Sequence, residues 1–161
     1  MSQVDVFINA ERIAARVAEL GTQIRADYGD VPILCIGVLK GSIVFMSDLM
    51  RAIPGDVRCG FLGVSSYAGT ESTGIVRITH DLKQPIEGQH VLVVEDIVDT
   101  GLTLEFLLKT LTVRNPASVR VASLLDKPAR RVVDVPVDYI GFPIEDRFVV
   151  GYGLDLDEKF R

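Results

Sequence analysis

The chain has 161 residues, 48% hydrophobic and 24% charged, with a net charge of −5 and an isoelectric point near 5.0. That length supports a single domain, residues 1–161, with a buried core, and the composition is that of a globular protein. The acidic balance argues against a general nucleic-acid binder, which needs a basic face, and no apolar stretch is long enough to span a bilayer.

The start, Met1-Ser2-Gln3-Val4-Asp5, lacks the basic and apolar regions of a secretory signal. Asn9 can cap a helix over residues 10–28, where Ile13, Val17, Leu20 and Ile24 recur at helical spacing and Gly29-Asp30 provides a stop. Residues 31–38 read as a buried strand with Pro32 at its tolerant start. Lys40-Gly41-Ser42 is a turn into a helix over residues 42–52, and Pro54-Gly55 breaks the chain before a strand over residues 57–64. Cys35 and Cys59 lack metal spacing and read as buried free thiols, which implies a reducing cytoplasm. Residues 65–74 are mostly Ser, Gly and Thr around a single Tyr67, with Ala68 and Glu71, and read as a flexible loop; residues 75–79 can return as a strand. His80 and His90 stand apart, with no spacing for zinc or a triad. Residues 85–89 turn into a strand over residues 91–94; Asn115-Pro116 ends the helix that follows it, and residues 119–125 are another strand. Residues 137–141 and 148–151 are the last strand candidates. Strands alternating with helices, several apolar on both faces, predict an α/β fold with a mainly parallel sheet flanked by helices. In such sheets ligands bind at the carboxyl ends of the strands. The polar residues follow the strands: Lys40, then Ser66-Tyr67, Glu95-Asp96 and Asp126-Lys127.

The most informative run is Val91-Leu92-Val93-Val94-Glu95-Asp96-Ile97-Val98-Asp99-Thr100-Gly101-Leu102-Thr103. Four apolar residues make a buried strand, two acids stand at its carboxyl end, and a Gly-containing turn opens a helix with Leu104, Leu107, Leu108 and Leu111 inward. A strand, turn and helix start gather free backbone N–H groups and the positive helix end at one spot, which suits a phosphate. Acids beside that spot fit sugar hydroxyls and a divalent cation, so a phosphorylated sugar with magnesium matches both halves. No Walker A loop occurs.

This run resembles the phosphoribosyl-pyrophosphate (PRPP) signature of the type I phosphoribosyltransferases, and the match is complete. Other segments narrow the resemblance to bacterial-type hypoxanthine(-guanine) phosphoribosyltransferases over nearly the whole chain: residues 38–42, Ser66-Tyr67 with Ser72-Thr73-Gly74, residues 124–128 and residues 148–155. The resemblance implies the type I phosphoribosyltransferase fold with a small hood, a 6-oxopurine substrate, Mg²⁺, and a homodimer or homotetramer with no nucleic-acid or membrane partner. It implies that Glu95 and Asp96 bind the ribose hydroxyls directly or through magnesium. Asp99 handles the proton on purine N7, while Thr100, Gly101, Leu102 and Thr103 cradle the 5′-phosphate. Leu39, Lys40 and Gly41, with a cis peptide between the first two, and Arg161 meet pyrophosphate. Ser66 and Tyr67 belong to a mobile catalytic loop. Lys127, a donor that cannot accept, selects a C6 carbonyl; Phe148 stacks on the purine and Val149 meets its edge. Asp155 completes the purine site and is a third magnesium ligand beside Glu95 and Asp96. The mobile loop carries Ile75 where relatives often carry an acid, and relatives usually continue beyond the position of Arg161. Two alternatives are an enzyme for another base, such as xanthine or adenine, and a nucleotide- and RNA-binding regulator of the same fold. Asp126-Lys127 with Phe148 argues for a base pocket that a regulator does not need.

Overall fold

The computed structural model describes residues 3–66 and 76–161. The expected mobile-loop residues Tyr67, Ser72, Thr73 and Gly74, with Ile75, lie outside that set. Helix α1 spans Ala10–Tyr28, with the Asn9 side chain accepting from the Arg12 N–H at 2.8 Å and Gly29, at φ 68°, ending it. Strand β1 (Ile33–Leu39), helix α2 (Ile43–Ala52), β2 (Val57–Ser66) and β3 (Val76–His80) follow. Then come β4 (His90–Val98), α3 (Leu102–Thr112), β5 (Ser118–Asp126), a one-turn 3₁₀ helix at Pro128–Arg130 and β6 (Tyr139–Pro143).

The six strands form one sheet in the order β3-β2-β1-β4-β5-β6, parallel except for the antiparallel β2–β3 pair. One face carries a core of Val17, Leu20 and Ile24 from α1 and Phe45 and Leu49 from α2 against Cys35, Leu92 and Val94. The other face buries Leu104, Leu107 and Leu111 of α3 against Ile36, Val91, Val93 and Val121. Continuous apolar runs are what a sheet covered on both faces requires. The chain steps outward from β1 to β2 on one side and to β4 on the other, so the crevice between β1 and β4 is the switch point of the sheet. Among the described residues no helix is long and apolar enough to cross a membrane.

Several expectations shift. β1 starts at Ile33, because its ladder begins there opposite Val57 and His90, leaving Val31-Pro32 outside. β4 continues through Glu95 and Asp96 to Val98, since Ile97 and Val98 still pair with Leu125 and Asp126. Residues 148–151 form no strand: Gly151 (φ 93°) and Tyr152 (φ 51°) turn the chain, and two isolated antiparallel bridges, Gly151–Leu154 and Leu156–Lys159, are the pairing recorded there. This irregular segment and residues 3–8 are the hood, around a cavity of about 680 Å³. Cys35 is buried as expected, but Cys59, its register partner one strand nearer the sheet edge, is exposed.

Candidate functional site

The carboxyl end of β4 holds the acid pair. Glu95 is 6% exposed, and burial together with the neighbouring Asp96 charge pushes its carboxyl well above the usual range. Burial also raises Asp96, opposed by the Ile97 N–H that donates to its Oδ1 at 2.8 Å. Two neighbouring carboxylates withdrawn from water favour hydroxyl donors or a cation as partners.

The turn after β4 builds the anion site. Gly101 sits at φ 90°, a left-handed conformation that β-carbon-bearing residues rarely adopt, and caps α3 without a side-chain bond. Asp99 therefore does not cap the helix; Thr100 Oγ1 lies 3.4 Å from the Leu102 nitrogen. The helix start is left open toward a small cavity of about 90 Å³, lined by Glu95, Asp99, Thr100, Gly101 and Thr103 among others. Two arginines that the sequence reading passed over brace this turn. Arg131 donates to the Asp99 carbonyl at 2.6 Å and the Val98 carbonyl at 3.2 Å while pairing with Asp126. Arg130 Nε donates to Asp99 Oδ1 at 3.0 Å. Their signal was a basic pair following Lys127-Pro128-Ala129, a pattern that on its own reads as a solvated turn.

Across from the turn, Lys127 is buried at the end of β5, where its N–H donates to the Val98 carbonyl at 2.9 Å. Its ammonium lies 3.9 Å from Asp146. Phe148 is 69% exposed, so a core role does not apply to it, and Val149 packs against the core. Both line the larger cavity with Tyr152 and Phe160.

The crevice between β1 and β4 forms the third side. The Leu39-Lys40 peptide is cis. Gly41 packs so closely on the Asp96 carboxylate that a β-carbon there would collide with it, and Gly153 packs equally closely on the Gly41 carbonyl. Arg161 donates to the Gly153 carbonyl at 2.5 Å and lies 3.4 Å from both Asp155 and Glu158. Asp155 also accepts from the Glu158 N–H at 2.7 Å, and Lys40 pairs with Glu158 at 3.1 Å. The structure thus brings Lys40, Gly41, Asp96, Asp155 and Arg161 to one crevice. Ser66 ends β2, and Tyr67 lies outside the described residues. Among the described residues no group of three or more His, Cys, Asp or Glu side chains is arranged to hold a metal ion, so Glu95, Asp96 and Asp155 do not form one preassembled site. Their oxygen donors suit magnesium chemically, the remaining ligands coming from a substrate rich in oxygens.

Comparison with known proteins points the same way. The model of the phosphoribosyl transferase domain matches residues 4–157. A hypoxanthine-guanine phosphoribosyltransferase of Mycobacterium avium is 50% identical over 97% of this chain and 80% of its own length. A hypoxanthine phosphoribosyltransferase of Haemophilus influenzae is 48% identical, over 98% of this chain and 90% of its own. A crystal structure of a Bacillus anthracis hypoxanthine-guanine phosphoribosyltransferase, with a HEPES molecule in its active site, superposes with a TM-score of 0.95 at 45% identity, covering 99% of this chain and 95% of that one.

Proposed function

The chain belongs to the phosphoribosyl transferase domain family, and on that premise we propose how its site works as a purine salvage enzyme. It transfers the 5-phosphoribosyl group from PRPP to a 6-oxopurine, hypoxanthine or guanine, giving the nucleoside 5′-monophosphate and pyrophosphate. The observation that carries this reading is the open start of α3, with the acid pair led by the buried Glu95 just before it and the buried Lys127 joined to the Val98 carbonyl at the end of the neighbouring strand. A phosphate, a ribose and a purine carbonyl meet those three features in that order.

The 5′-phosphate sits on Thr100, Gly101, Leu102 and Thr103, held by backbone N–H groups and hydroxyls. Glu95 and Asp96 accept from the ribose hydroxyls. The bond from C1 of the ribose to pyrophosphate breaks with its electron pair leaving on pyrophosphate, and positive charge spreads over C1 and the ring oxygen. The purine nitrogen bonds to C1, and Asp99 accepts the N7 proton that the purine gives up. Lys40, Gly41 and Arg161 receive pyrophosphate. Lys127 donates to the purine carbonyl, and Phe148 and Val149 meet the ring. Glu95, Asp96 and Asp155 would supply oxygen ligands to magnesium brought in with PRPP, and the ion would neutralise phosphate charge.

The domain spans residues 1–161, works in the cytoplasm, and assembles as a homodimer or homotetramer. Support for assembly comes from a Trypanosoma cruzi relative, 42% identical with a TM-score of 0.92, in which the role of the C-terminal region in oligomeric state and activity was studied. Turnover of PRPP with hypoxanthine, guanine, xanthine and adenine tests the function. Hypoxanthine and guanine are expected to react and adenine to fail; turnover of xanthine alone would shift the reading to that base, and no turnover of any base would favour a regulator.

A further inference from the structure

Lys127 and Asp99 lie on different elements, at the end of β5 and in the turn before α3, yet a continuous line of alternating charges joins them. The Lys127 ammonium, 10% exposed in its side chain, has one carboxylate within 4 Å among the described residues, Asp146 Oδ1 at 3.9 Å. The other Asp146 oxygen lies 3.8 Å from Arg130 Nη1, and Arg130 Nε donates to Asp99 Oδ1 at 3.0 Å. Arg130 therefore touches both carboxylates with one guanidinium, while its neighbour Arg131 is committed to the backbone of the turn and to Asp126. Asp146 rides on the chain leaving β6, which is pinned by the Ile144 N–H donating to the Asp126 carbonyl at 2.8 Å.

We propose that Asp146 and Arg130 are positioning residues that bridge Lys127 to Asp99, so that the group recognising the purine carbonyl and the group taking the N7 proton are held at a fixed spacing. This rests on the function proposed above. A lysine is a compact charge on a flexible four-carbon stem, and its direction must be set from outside. A planar guanidinium is suited to span two carboxylates. The outer members are exposed, 58% for Asp146 and 48% for Arg130 in their side chains, so water weakens the bridge while the site is open. A purine lying across Lys127 and Asp99 displaces that water, and the bridge stiffens when the geometry has to hold.

The test is steady-state kinetics on the full chain, varying hypoxanthine and PRPP separately. Asp146→Asn is expected to raise KM for hypoxanthine about tenfold while KM for PRPP stays within about twofold, with Asp146→Glu recovering most of the loss. Arg130→Gln is expected to lower kcat about tenfold, partly restored by Arg130→Lys. Because the two act on one bridge, the double variant is expected to lose no more kcat/KM than about the larger single loss. Strict additivity, a parallel rise of both KM values, or no recovery in the conservative variants overturns the bridge. If the native chain fails to turn over hypoxanthine, the proposed function fails, and calorimetry with inosine monophosphate still decides the bridge. Binding about tenfold weaker in Asp146→Asn than in the native chain supports it; equal or undetectable binding in both overturns it.

Discussion

The two sides of the crevice are built differently. On one side Glu95 and Asp96 are residues of a central strand with parallel neighbours on both flanks, and residues 99–101 join that strand to a helix whose leucines are buried. On the other side Asp155 and Arg161 lie on a segment with neither strand nor helix, fixed by two isolated bridges, by Tyr152 donating to Asp48 and by Arg161 donating to the Gly153 carbonyl. Displacing an acid of β4 means breaking the sheet, whereas displacing Asp155 means breaking a few polar contacts and loosening Tyr152 and Leu154 where they pack, partly buried, on the core. In the proposed mechanism the acids of the chemical step sit on the first side, and Arg161, proposed to meet the departing pyrophosphate, sits on the second, where motion costs less.

The largest expected effect is on the rigid side. Asp99→Asn keeps the shape of the turn but removes the proton acceptor, so kcat falls by about 10²–10⁴-fold, the usual contribution of a general acid/base. PRPP affinity, measured separately by titration, is expected to change little. A variant that lost PRPP binding in step with turnover would place Asp99 in sugar or phosphate contact instead.

Lys127→Ala tests the neighbouring strand end. A donor-only ammonium pairs with a C6 carbonyl and meets the adenine amino group donor to donor. Sites that hydrogen-bond a substrate group discriminate by roughly 10⁴-fold against an analogue unable to pair. The variant is expected to lose much of its activity on hypoxanthine and to narrow the gap to adenine, read as the ratio of kcat/KM values. Full preference retained in the variant would move specificity to another residue.

These two residues also show what the sequence reveals and what it conceals. Helix α1 is legible to the residue because Asn9, the apolar spacing and Gly29 are all local signals. The turn from β4 into α3 is legible because residues 95–103 stand in one contiguous run. β4 runs past its apolar residues because the ladder, supplied by β5, continues where the site requires acids. The apolar run at residues 148–151 is no strand, because a strand needs a partner and local pattern does not reveal that none is there. Arg130 meets Asp99 across 31 positions, and the Gly153–Gly41–Asp96 stack joins three distant segments; neither leaves a mark in local spacing.

The softer side responds to a smaller change. Gly153 has φ 104°, and a β-carbon there would collide with the Gly41 carbonyl. Gly153→Ala is expected to introduce about 1–3 kcal/mol of strain. The segment relieves it by moving away from Gly41, carrying Asp155 and Arg161 with it. KM for PRPP is then expected to rise about tenfold, the equivalent of about 1.4 kcal/mol, with KM for hypoxanthine less affected. Equal rises in both would mean that the two sides move as one body, and the contrast between them would fall.

The mildest test asks what the rigid side costs the fold. Burial and the Asp96 charge raise the Glu95 carboxyl in the folded chain, while in the unfolded chain it titrates near its ordinary value of about 4.3. The folded state therefore holds a proton that the unfolded state has already released. That contribution to stability is complete below about pH 4 and is lost as pH rises through the folded value. Glu95→Gln keeps the side-chain shape without the ionisation. Without substrate or magnesium, native and variant chains should melt at similar temperatures near pH 4. The variant should gain steadily as pH rises, by about 2–4 °C for each kcal/mol relieved in a chain of this size. PRPP binding is expected to weaken in the same variant, because an acceptor for the ribose hydroxyls is gone. Melting scans from pH 4 to 8 make the comparison, and a Tm difference constant across that range would show that Glu95 carries no desolvation cost. If the difference grows as expected, the sheet holds Glu95 against its own electrostatic preference, which a few polar contacts of the kind that hold Asp155 could not do.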